Sequence, residues 1–476
     1  MKAVNPLGGS IDAFLRERRR WLDGARLETL VPAVLRLERA AIYTALGEME
    51  PAQAELERVD SAGPMPVGLE LDYLHHACNL FFQFSLWDKM DPMRDRLLAL
   101  ARQADFRPGI ARGLYFTGLE TINGGDYQRA IDIFLQALDI EKDLTDDALL
   151  GEIYNDVGFC YRRIGDTARA ERQYLESLQV RERSGNLLGQ AESLSNLGYL
   201  KIFQGLPEQA EALLVRAYLL ETRIGDRIGA GYTLVNLGYL AYQRGEFAKS
   251  REYHQKALEL RTKLDDPLGQ GHCYLQLYAL AGIDDDEAAE RRLMNAAYRA
   301  FVRAGDNTGQ QGARLAFVSY WLERGDHQVA QRILDRIAPE IARTESQDSQ
   351  RTYWMRSLLA ALQRTDPGAV ERCWTEYRQC HPDIEGTCDT LDMLARVEMF
   401  RGNHEAAGDA WAKAIALARE KHFPLELAKQ RFSLGRSLGR TGYRLIEESR
   451  DEFQKIGAKR LARKAREYLS TTAGRP

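Results

Sequence analysis

The stretch that decides the fold is residues 194–205, LSNLGYLKIFQG, which returns at residues 234–245 as LVNLGYLAYQRG. Apolar residues three and four apart predict a helix, and the glycine that closes each stretch predicts its end. The glycines of these stretches belong to three series with a common spacing of 40 residues. The series are Gly118, Gly158, Gly198 and Gly238; Gly125, Gly165, Gly205 and Gly245, which skips Asp285 and returns at Gly325; and Gly185, Gly225, Asp265 and Gly305. Three interlocked registers predict a repeat array.

The rest of the unit indicates a second helix. An alanine follows four of the five glycines of the second series by five residues. In most units another small residue lies seven further on, with a large side chain between the two small ones. The large residues are Phe134, Tyr174, Leu214, His254, Met294 and Leu334, and the flanking alanines include Ala130, Ala170, Ala210, Ala330, Ala137, Ala217, Ala257 and Ala297. Each unit is therefore predicted to be a helical hairpin. Helix A ends near the second glycine and helix B ends near a Gly-Asp stop signal.

The order L-x-x-L-G, then glycine, then A-x-x-x-[FYL]-x-x-A resembles the tetratricopeptide repeat (TPR). The unit is longer than the usual length of about 34 residues and ends in Gly-Asp instead of proline. This variant is similar to the repeats of Pins/LGN spindle scaffolds, through Asn196-Leu197-Gly198, and of bacterial MalT-like activators, through the C-terminal stretch around residues 453–465. The resemblance implies an all-α fold, a right-handed α-solenoid (superhelix) of about eleven TPR-like helical hairpins.

Repeat regularity predicts the organisation of the chain. Residues 1–24 are expected to form an N-terminal helical cap and residues 25–107 divergent hairpins. The regular array covers 108–343, and residues 344–470 form divergent hairpins with a C-terminal capping helix. Residues 471–476 are expected to be a disordered tail.

Composition limits the function classes. The 476 residues carry Lys+Arg 65 and Asp+Glu 69, a net charge of −4, which argues against a protein that mainly holds a nucleic-acid backbone. The sequence offers neither a signal peptide nor a membrane-spanning apolar run. The six cysteines are scattered, which favours buried free thiols in a reducing cytoplasm. A cytoplasmic protein is therefore predicted, and the resemblance to MalT-like arrays implies a bacterial one.

The resemblance implies that one face of each helix A lines a concave groove. The predicted partner-binding residues are Arg112, Tyr115, Phe116, Glu152, Asn155, Asp156, Phe159, Arg162, Arg163, Glu192, Asn196, Tyr199, Phe203, Tyr232, Asn236, Tyr239, Tyr242, Gln243, His272 and Gln276. The amides Asn196, Asn236 and Gln276 stand in register, and an amide can both donate to and accept from a peptide backbone. Flanking aromatics would supply apolar pockets. The alternative is that the amides bond to neighbouring repeats and the tyrosines pack between hairpins.

Other chemistry is disfavoured. Acidic residues at the clamp positions, Glu152, Asp156 and Glu192, would repel the terminal carboxylate that carboxylate-clamp TPRs bind. Cys373, Cys380, His381 and Cys388 lack paired zinc spacing, so no metal site is predicted. No phosphate-binding loop or catalytic motif occurs, so neither catalytic residues nor a cofactor is predicted.

Three further features receive structural interpretations. His254 is predicted to be a packed core histidine. The acidic run at 284–287 is predicted to cap the start of a helix B. The basic stretches, Arg16, Arg18, Arg19 and Arg20 at one end and Lys455, Lys459, Arg460, Arg463, Lys464 and Arg466 at the other, are interpreted as solvated capping faces, with an acidic partner or nucleic acid as the alternative.

The sequence thus predicts a non-catalytic scaffold, adaptor or regulatory sensor that binds a partner protein or peptide in the groove. The alternative is a small-molecule or nucleic-acid-responsive receptor like the MalT-like sensor arrays. Self-association is left open. An enzyme would require a clustered acid–base pair that the sequence does not display.

Overall fold

The computed structural model describes residues 27–45, 48–84, 86–141, 147–343, 347–380 and 386–473. The predicted N-terminal cap, residues 1–24, and its four arginines lie outside these ranges, as does His381. Across the described ranges there are twenty-three α-helices, one short 3₁₀ turn at Gly439–Gly442 and no strand. The helices are α1 (Leu27–Ala45), α2 (Met49–Asp60), α3 (Val67–Gln83), α4 (Trp87–Gln103), α5 (Arg107–Asn123), α6 (Tyr127–Glu141), α7 (Asp147–Arg163), α8 (Thr167–Arg183), α9 (Leu187–Phe203), α10 (Pro207–Ile224), α11 (Arg227–Gln243), α12 (Phe247–Lys263), α13 (Pro267–Asp284), α14 (Glu287–Ala304), α15 (Asn307–Glu323), α16 (His327–Ile341), α17 (Gln347–Gln363), α18 (Pro367–Gln379), α19 (Cys388–Phe400), α20 (His404–Glu420), α21 (Pro424–Ser437), α22 (Tyr443–Lys455) and α23 (Lys459–Ala473).

Consecutive helices form hairpins. Eleven pairs, from α1 with α2 to α21 with α22, are followed by the single helix α23. The odd-numbered helix of each pair is the predicted helix A and the even-numbered one is helix B. The all-α solenoid of about eleven hairpins is therefore confirmed.

The chain forms two compact units, residues 1–193 and residues 194–476, here called unit 1 and unit 2. The division falls within α9, inside the stretch that was predicted to be a regular array. The boundaries predicted from repeat regularity, at 107/108 and 343/344, remain predictions.

Within a hairpin, the glycine of the first series lies directly against the large side chain of helix B. A Cβ at Gly158 would lie 2.8 Å from the Tyr174 ring, and one at Gly198 would lie 2.6 Å from Leu214. Gly238 meets His254, which is buried as predicted, and burial lowers the pKa of its imidazole to about 4. The glycine series therefore lets helices A and B approach closely, which fixes the geometry of each hairpin.

The turns after the helices follow the predicted stop signals. Gly165 lies in the turn between helices A and B of its repeat. Its φ is 87°, in the left-handed region that favours glycine. The next residue, Asp166, caps α8 by accepting a hydrogen bond from the Arg169 amide at 2.9 Å. Asp286 caps α14 in the same way through the Ala289 amide, as predicted for the acidic run.

Unit 1 is held together by one apolar core. It runs from Leu37 in α1 to Val180 in α8 and includes Leu74, Phe116 and Phe134, all fully buried. Each hairpin therefore buries side chains against its neighbours, as expected of a repeat array.

Unit 2 contains contacts that a linear file of repeats would lack. Phe247, Leu277 and Ile283, from α12 and α13, share one apolar cluster with Phe453 and Ala462 of the C-terminal helices. These partners lie almost two hundred residues apart in the chain, and α13 packs directly on α23. The C-terminal end of unit 2 therefore returns to its earlier hairpins. We call this contact between α21–α23 and α11–α14 the closure.

The closure also contains buried charges. The guanidinium of Arg460 donates to Asp285 at 2.9 Å, to Glu290 at 2.5 and 2.8 Å, and to Glu323 at 3.0 Å. Arg460 is 6% exposed and Glu290 2%. Arg463 donates to the same Asp285. The interpretation of this basic stretch as a solvated capping face is therefore wrong for Arg460, because its buried charge faces Asp285, Glu290 and Glu323 and not bulk water. Arg463 is nearly half exposed and pairs with Asp285 at the surface.

The C-terminal tail also differs from the prediction. Helix α23 continues to Ala473, three residues into the segment that was expected to be disordered. The Thr471 hydroxyl donates to the Glu467 carbonyl at 2.9 Å, and Thr472 donates to Tyr468, which satisfies carbonyls at the helix end. None of the described helices is both long enough and apolar enough to cross a membrane.

Candidate functional site

The predicted groove residues all lie on A helices, but they do not share one environment. Phe116 is fully buried, beside the His75 ring at 5.8 Å, so its prediction as a groove residue is wrong. Its side chain belongs to the core of unit 1 because α5 turns this position toward α3. Tyr232 is at the other extreme, 57% exposed, with the Arg261 guanidinium 4.1 Å from its ring centre.

Unit 1 brings several predicted residues together in a polar cluster. The Tyr115 hydroxyl donates to Asp156 at 3.0 Å, and Asn155 donates to Asp156 at 3.3 Å and to Glu192 at 3.2 Å. The guanidinium of Arg181 lies 3.0 Å from the other Glu192 oxygen. These contacts connect α5, α7 and α9, so they join neighbouring hairpins.

Burial controls the electrostatics of this cluster. Desolvation and the nearby Glu192 carboxylate together raise the pKa of Asp156 to about 7, against the opposing effect of the hydrogen bond from Tyr115. Burial and the same carboxylates raise the pKa of Tyr115 well above its usual value. Asp156 therefore changes charge near neutral pH.

Predicted arginines of unit 1 stack on aromatic rings. The Arg162 guanidinium lies 5.1 Å from the centre of the Phe159 ring, and that of Arg163 lies 5.0 Å from the Tyr127 ring. Phe159 and Tyr127 themselves meet edge to face at 6.1 Å. These residues form a compact mixed surface at the C-terminal end of α7.

The amides have a structural role in at least two repeats. Asn155 bonds to Glu192 of the next hairpin, and Asn236 donates to the Ser195 hydroxyl of the previous one at 3.2 Å. The alternative interpretation, in which amides join neighbouring repeats, is therefore confirmed for these two. An amide has four hydrogen-bonding positions, so such a bond leaves capacity for a ligand.

In unit 2 the predicted aromatics form a continuous cluster. The ring centres of Tyr199 and Phe203 are 4.9 Å apart, Phe203 stacks on Tyr239 at 6.1 Å, and Tyr199 meets Tyr239 at 6.0 Å. Phe203 is 37% exposed. These rings connect α9 with α11 and leave one apolar face open to solvent.

Side chains from non-neighbouring A helices face one another inside unit 2. Tyr242 of α11 is within electrostatic range of Glu323 (α15), Asp389 (α19) and both Glu426 and Lys429 (α21). Helices this far apart in the file come within range only if the file curves back on itself, as the closure requires. We call the space that these side chains surround the interior of unit 2.

The interior contains charged residues that sequence reasoning missed. Arg356 of α17 is within range of Asp389, Tyr278 and Glu323. A signal for it existed, because Arg356 lies four steps of 40 residues after Asn196 and so occupies the same repeat position as the amides. Asp389 and Lys429 are likewise 40 residues apart. The phase slip beyond residue 343 concealed the alignment of Asp389 and Lys429 with the earlier repeats, whereas Arg356 keeps the 40-residue phase.

The surrounding protein displaces water from these groups even where their side chains are partly exposed. Desolvation, followed by the nearby Glu426 carboxylate, raises the pKa of Asp389. Desolvation lowers the pKa of Arg356 and raises those of Tyr239, Tyr242 and Tyr278. Such shifts are expected of polar groups in a recess of low effective dielectric.

The remaining predicted residues lie at the margin of these clusters. The His272 ring packs edge-on against Phe301 at 5.2 Å, and desolvation lowers its pKa. Glu152 is exposed on α7, whereas Arg112, Asn196, Gln243 and Gln276 are partly exposed on their A helices. The prediction that these side chains contact a partner stays a prediction.

Metal-type ligands do not converge in the parts of the chain that the structure describes: no group of three or more His, Cys, Asp or Glu is placed to hold an ion. Five of the six thiols are buried and Cys380 is partly exposed. Burial raises the pKa of Cys78 to about 12 and that of Cys273 to about 11. These thiols are protonated at neutral pH.

Comparison with known proteins agrees with this architecture. A family model for the tetratricopeptide repeat matches residues 121–183, 149–220 and 189–263. Residues 121–263 are tetratricopeptide repeats. The flanking hairpins extend the same TPR-like solenoid. No curated protein sequence shows significant similarity to the chain. The narrower resemblance to Pins/LGN and MalT-like arrays stays a prediction.

Two solved structures show the same TPR-like fold. One is a Rap protein complexed with competence and sporulation factor, with a TM-score of 0.54, 13% identity, and coverage of 84% of this chain and 99% of that one. The other is NprR in complex with its cognate peptide NprX, with a TM-score of 0.52, 13% identity, and coverage of 72% and 97%. At this identity the likeness establishes the fold and not a shared ligand.

Proposed function

We propose that this TPR protein is a non-catalytic regulator that binds a short peptide, or an extended segment of a partner protein, in the interior of unit 2. The observation that carries the proposal is the convergence of tyrosines and charged groups from the A helices of several non-neighbouring hairpins, which lie within electrostatic range of one another. The peptide complexes of a Rap protein and of NprR, which have the same fold, support it.

The interior has the chemistry that a peptide requires. A peptide backbone presents a donor and an acceptor at almost every residue, and the lining offers amides, carboxylates and a guanidinium that complement both. The aromatic cluster of Tyr199, Phe203 and Tyr239 provides a face for an apolar side chain. Enclosure strengthens each polar contact because water is displaced.

The same lining supports binding rather than catalysis. Its carboxylates and guanidinium come from separate helices. The one buried thiol near them, among the described residues, is Cys388, and burial together with the Glu426 and Asp389 carboxylates raises its pKa to about 12, which keeps it protonated. Regulation would follow from ligand-dependent exposure of a surface to another protein. A cytoplasmic location accords with this role and remains a prediction.

The test is selection of random dodecapeptides on the immobilised full-length chain, followed by fluorescence anisotropy of the enriched sequences. We expect Phe203→Ala to weaken binding about tenfold or more, because it removes an open aromatic contact of the kind that dominates interfaces. Leu219→Ala is the matched control, since Leu219 is 62% exposed on helix B α10. A chain that enriches no peptide, or one whose binding is weakened equally by both substitutions, would contradict the proposal.

A further inference from the structure

The charged groups of the interior differ in how they are neutralised. Lys429 lies 2.7 Å from Glu426 in the same helix, and Glu323 accepts from Arg460 of the closure at 3.0 Å. Asp392 accepts from Arg396 at 2.7 Å and from the Trp411 indole at 2.8 Å. These carboxylates and ammonium groups already have partners within the protein.

Two interior charges are not neutralised in this way. Among the described residues, the Asp389 carboxylate has no cation within 4 Å and accepts no side-chain hydrogen bond, and the Arg356 guanidinium has no carboxylate within 4 Å. The Nε atom of Arg356 is buried without a hydrogen-bond partner. The Arg356 guanidinium is partly buried, so leaving it unpaired is costly. The Asp389 carboxylate is exposed on its helix, so it can take a cationic partner without displacing one of the protein's own.

The two groups attract each other but are not joined. Each is within electrostatic range of the other, and their helices, α17 and α19, belong to successive hairpins. One unpaired anion and one unpaired cation therefore line the same space, separated by more than an ion-pair distance. Tyr242 lies beside them and can donate a hydrogen bond without adding charge, whereas the Tyr278 hydroxyl already donates to the Ala316 carbonyl at 3.2 Å.

We propose that the interior of unit 2 recognises a short peptide that carries one cationic and one carboxylate group, the cation facing Asp389 and the carboxylate facing Arg356. This inference rests on the proposed function and names the ligand chemistry of the same site. Arg356 suits the role because a guanidinium binds a carboxylate through two parallel hydrogen bonds. The two ligand charges come either from the free peptide termini or from a basic and an acidic side chain.

The experiment uses random hexapeptide libraries incubated with the full-length chain, with bound peptides identified by mass spectrometry. Four libraries are compared: free termini, acetylated N-terminus, amidated C-terminus, and both ends blocked. Binding that is lost when either end is blocked assigns the charges to the termini. Enrichment of basic and acidic side chains in the doubly blocked library assigns them to side chains.

Four variants distinguish the two contacts. Asp389→Asn should abolish the preference for the cationic group, and Arg356→Gln the preference for the carboxylate, each weakening the best peptides about tenfold or more. Arg356→Lys should retain the carboxylate preference. Asp389→Lys should invert the preference at its contact from basic to acidic, a result that loss of folding cannot produce. Glu405→Gln and Arg419→Gln, which change exposed charges on helix B α20, are the matched controls.

The outcomes separate this inference from the broader proposal. If the native chain and the Asp389 and Arg356 variants all enrich peptides with the same charge pattern, the inference about charge is wrong and peptide binding itself stands. If the native chain enriches no peptide from any library, both fail. Thermal melting of each variant shows whether a loss of binding comes from unfolding.

Discussion

Arg460 in the last helix bonds to Glu290, which lies 170 residues earlier in the chain, with 2.5 Å between Nη2 and Oε2. Both side chains are buried, and Arg324 also donates to Glu290 at 2.9 Å. Such an ion pair is balanced only while its partners stay together, because an isolated buried charge is costly. This pair is therefore the most sensitive point of the closure.

We expect Arg460→Met to lower the free energy of unfolding of unit 2 by about 3 kcal/mol, since it removes the buried cation of the closure and leaves Glu290 with Arg324 alone and Asp285 with Arg463 alone. Urea denaturation followed by circular dichroism measures the change. Arg466→Met, an exposed residue of the same helix, is the control and should change stability by less than about 0.5 kcal/mol. Equal effects of the two substitutions would show that the buried network does not stabilise the closure.

The close approach of helices A and B predicts a strong effect at the glycine series. A Cβ at Gly238 would lie 2.5 Å from the His254 ring, so Gly238→Ala should destabilise the chain by about 1–3 kcal/mol through overpacking. Gly408→Ala, at a helical position with open space around it, should instead stabilise by about 0.5–1 kcal/mol because alanine favours helix. Thermal melting compares the two. Similar shifts for both would contradict the packing argument.

The raised pKa of Asp156 predicts a pH dependence of unit 1. Its pKa is about 7 in the folded chain and about 4 when unfolded, so the folded state binds more protons between these values. The contribution of Asp156 to stability therefore falls as pH rises from about 4 to 7, and stays low above pH 7. After correction for the intrinsic pH dependence of exchange, the backbone amides of α5 and α7 should exchange more slowly at pH 5 than at pH 8.

Asp156→Asn tests the assignment of this pH effect, because an amide keeps an acceptor for the Tyr115 hydroxyl and cannot ionise. The variant should be more protected than the native chain at pH 8, and its protection should depend less on pH. Glu221, whose pKa burial also raises to about 7, lies in unit 2, so Glu221→Gln should leave α5 and α7 unchanged. An unaltered pH profile in Asp156→Asn would assign the effect to other groups.

The N-terminal cap of α14 gives a smaller effect. Asp286→Ala removes the acceptor that lies 2.9 Å from the Ala289 amide, and we expect a loss of about 1 kcal/mol. Asp286→Asn keeps an oxygen acceptor and should retain most of that stability. Chemical denaturation of both variants measures the difference in the free energy of unfolding. Equal losses in Asp286→Ala and Asp286→Asn would indicate that the negative charge of Asp286, and not its hydrogen bond, supplies the stability.

Much of the fold could be predicted from local spacing. The paired positions Gly198 and Leu214, and the buried His254, follow from a 40-residue period that each repeat imposes on its own helices. Interactions inside a repeat or between neighbours leave such a period because they recur at every step of the array. The hairpins and their turns were therefore predicted correctly from the sequence.

The closure and the interior could be predicted only in part. The bond between Arg460 and Glu290 joins distant repeats, so it leaves no period in the sequence. Its one local trace was the break in the glycine series at Asp285, which adopts a φ of 64° and accepts hydrogen bonds from Arg460 and Arg463. Asp389 was missed because the 40-residue register slips after residue 343. Arg356 keeps the register and was missed because Ala316 interrupts the amide series before it. Of the residues that define the interior, repeat position identified Tyr242.

Because α23 must reach α13, unit 2 differs from open repeat proteins in how it can evolve. An open solenoid tolerates gain or loss of a module, since each added unit needs only a neighbour on which to stack. Duplication of one hairpin between α14 and α21 would carry Arg460 past its carboxylates and leave the two faces of the closure unmatched. The number of modules in this unit is therefore fixed by geometry, and lineages that retain the Arg460 contacts should vary in loop length but not in module count.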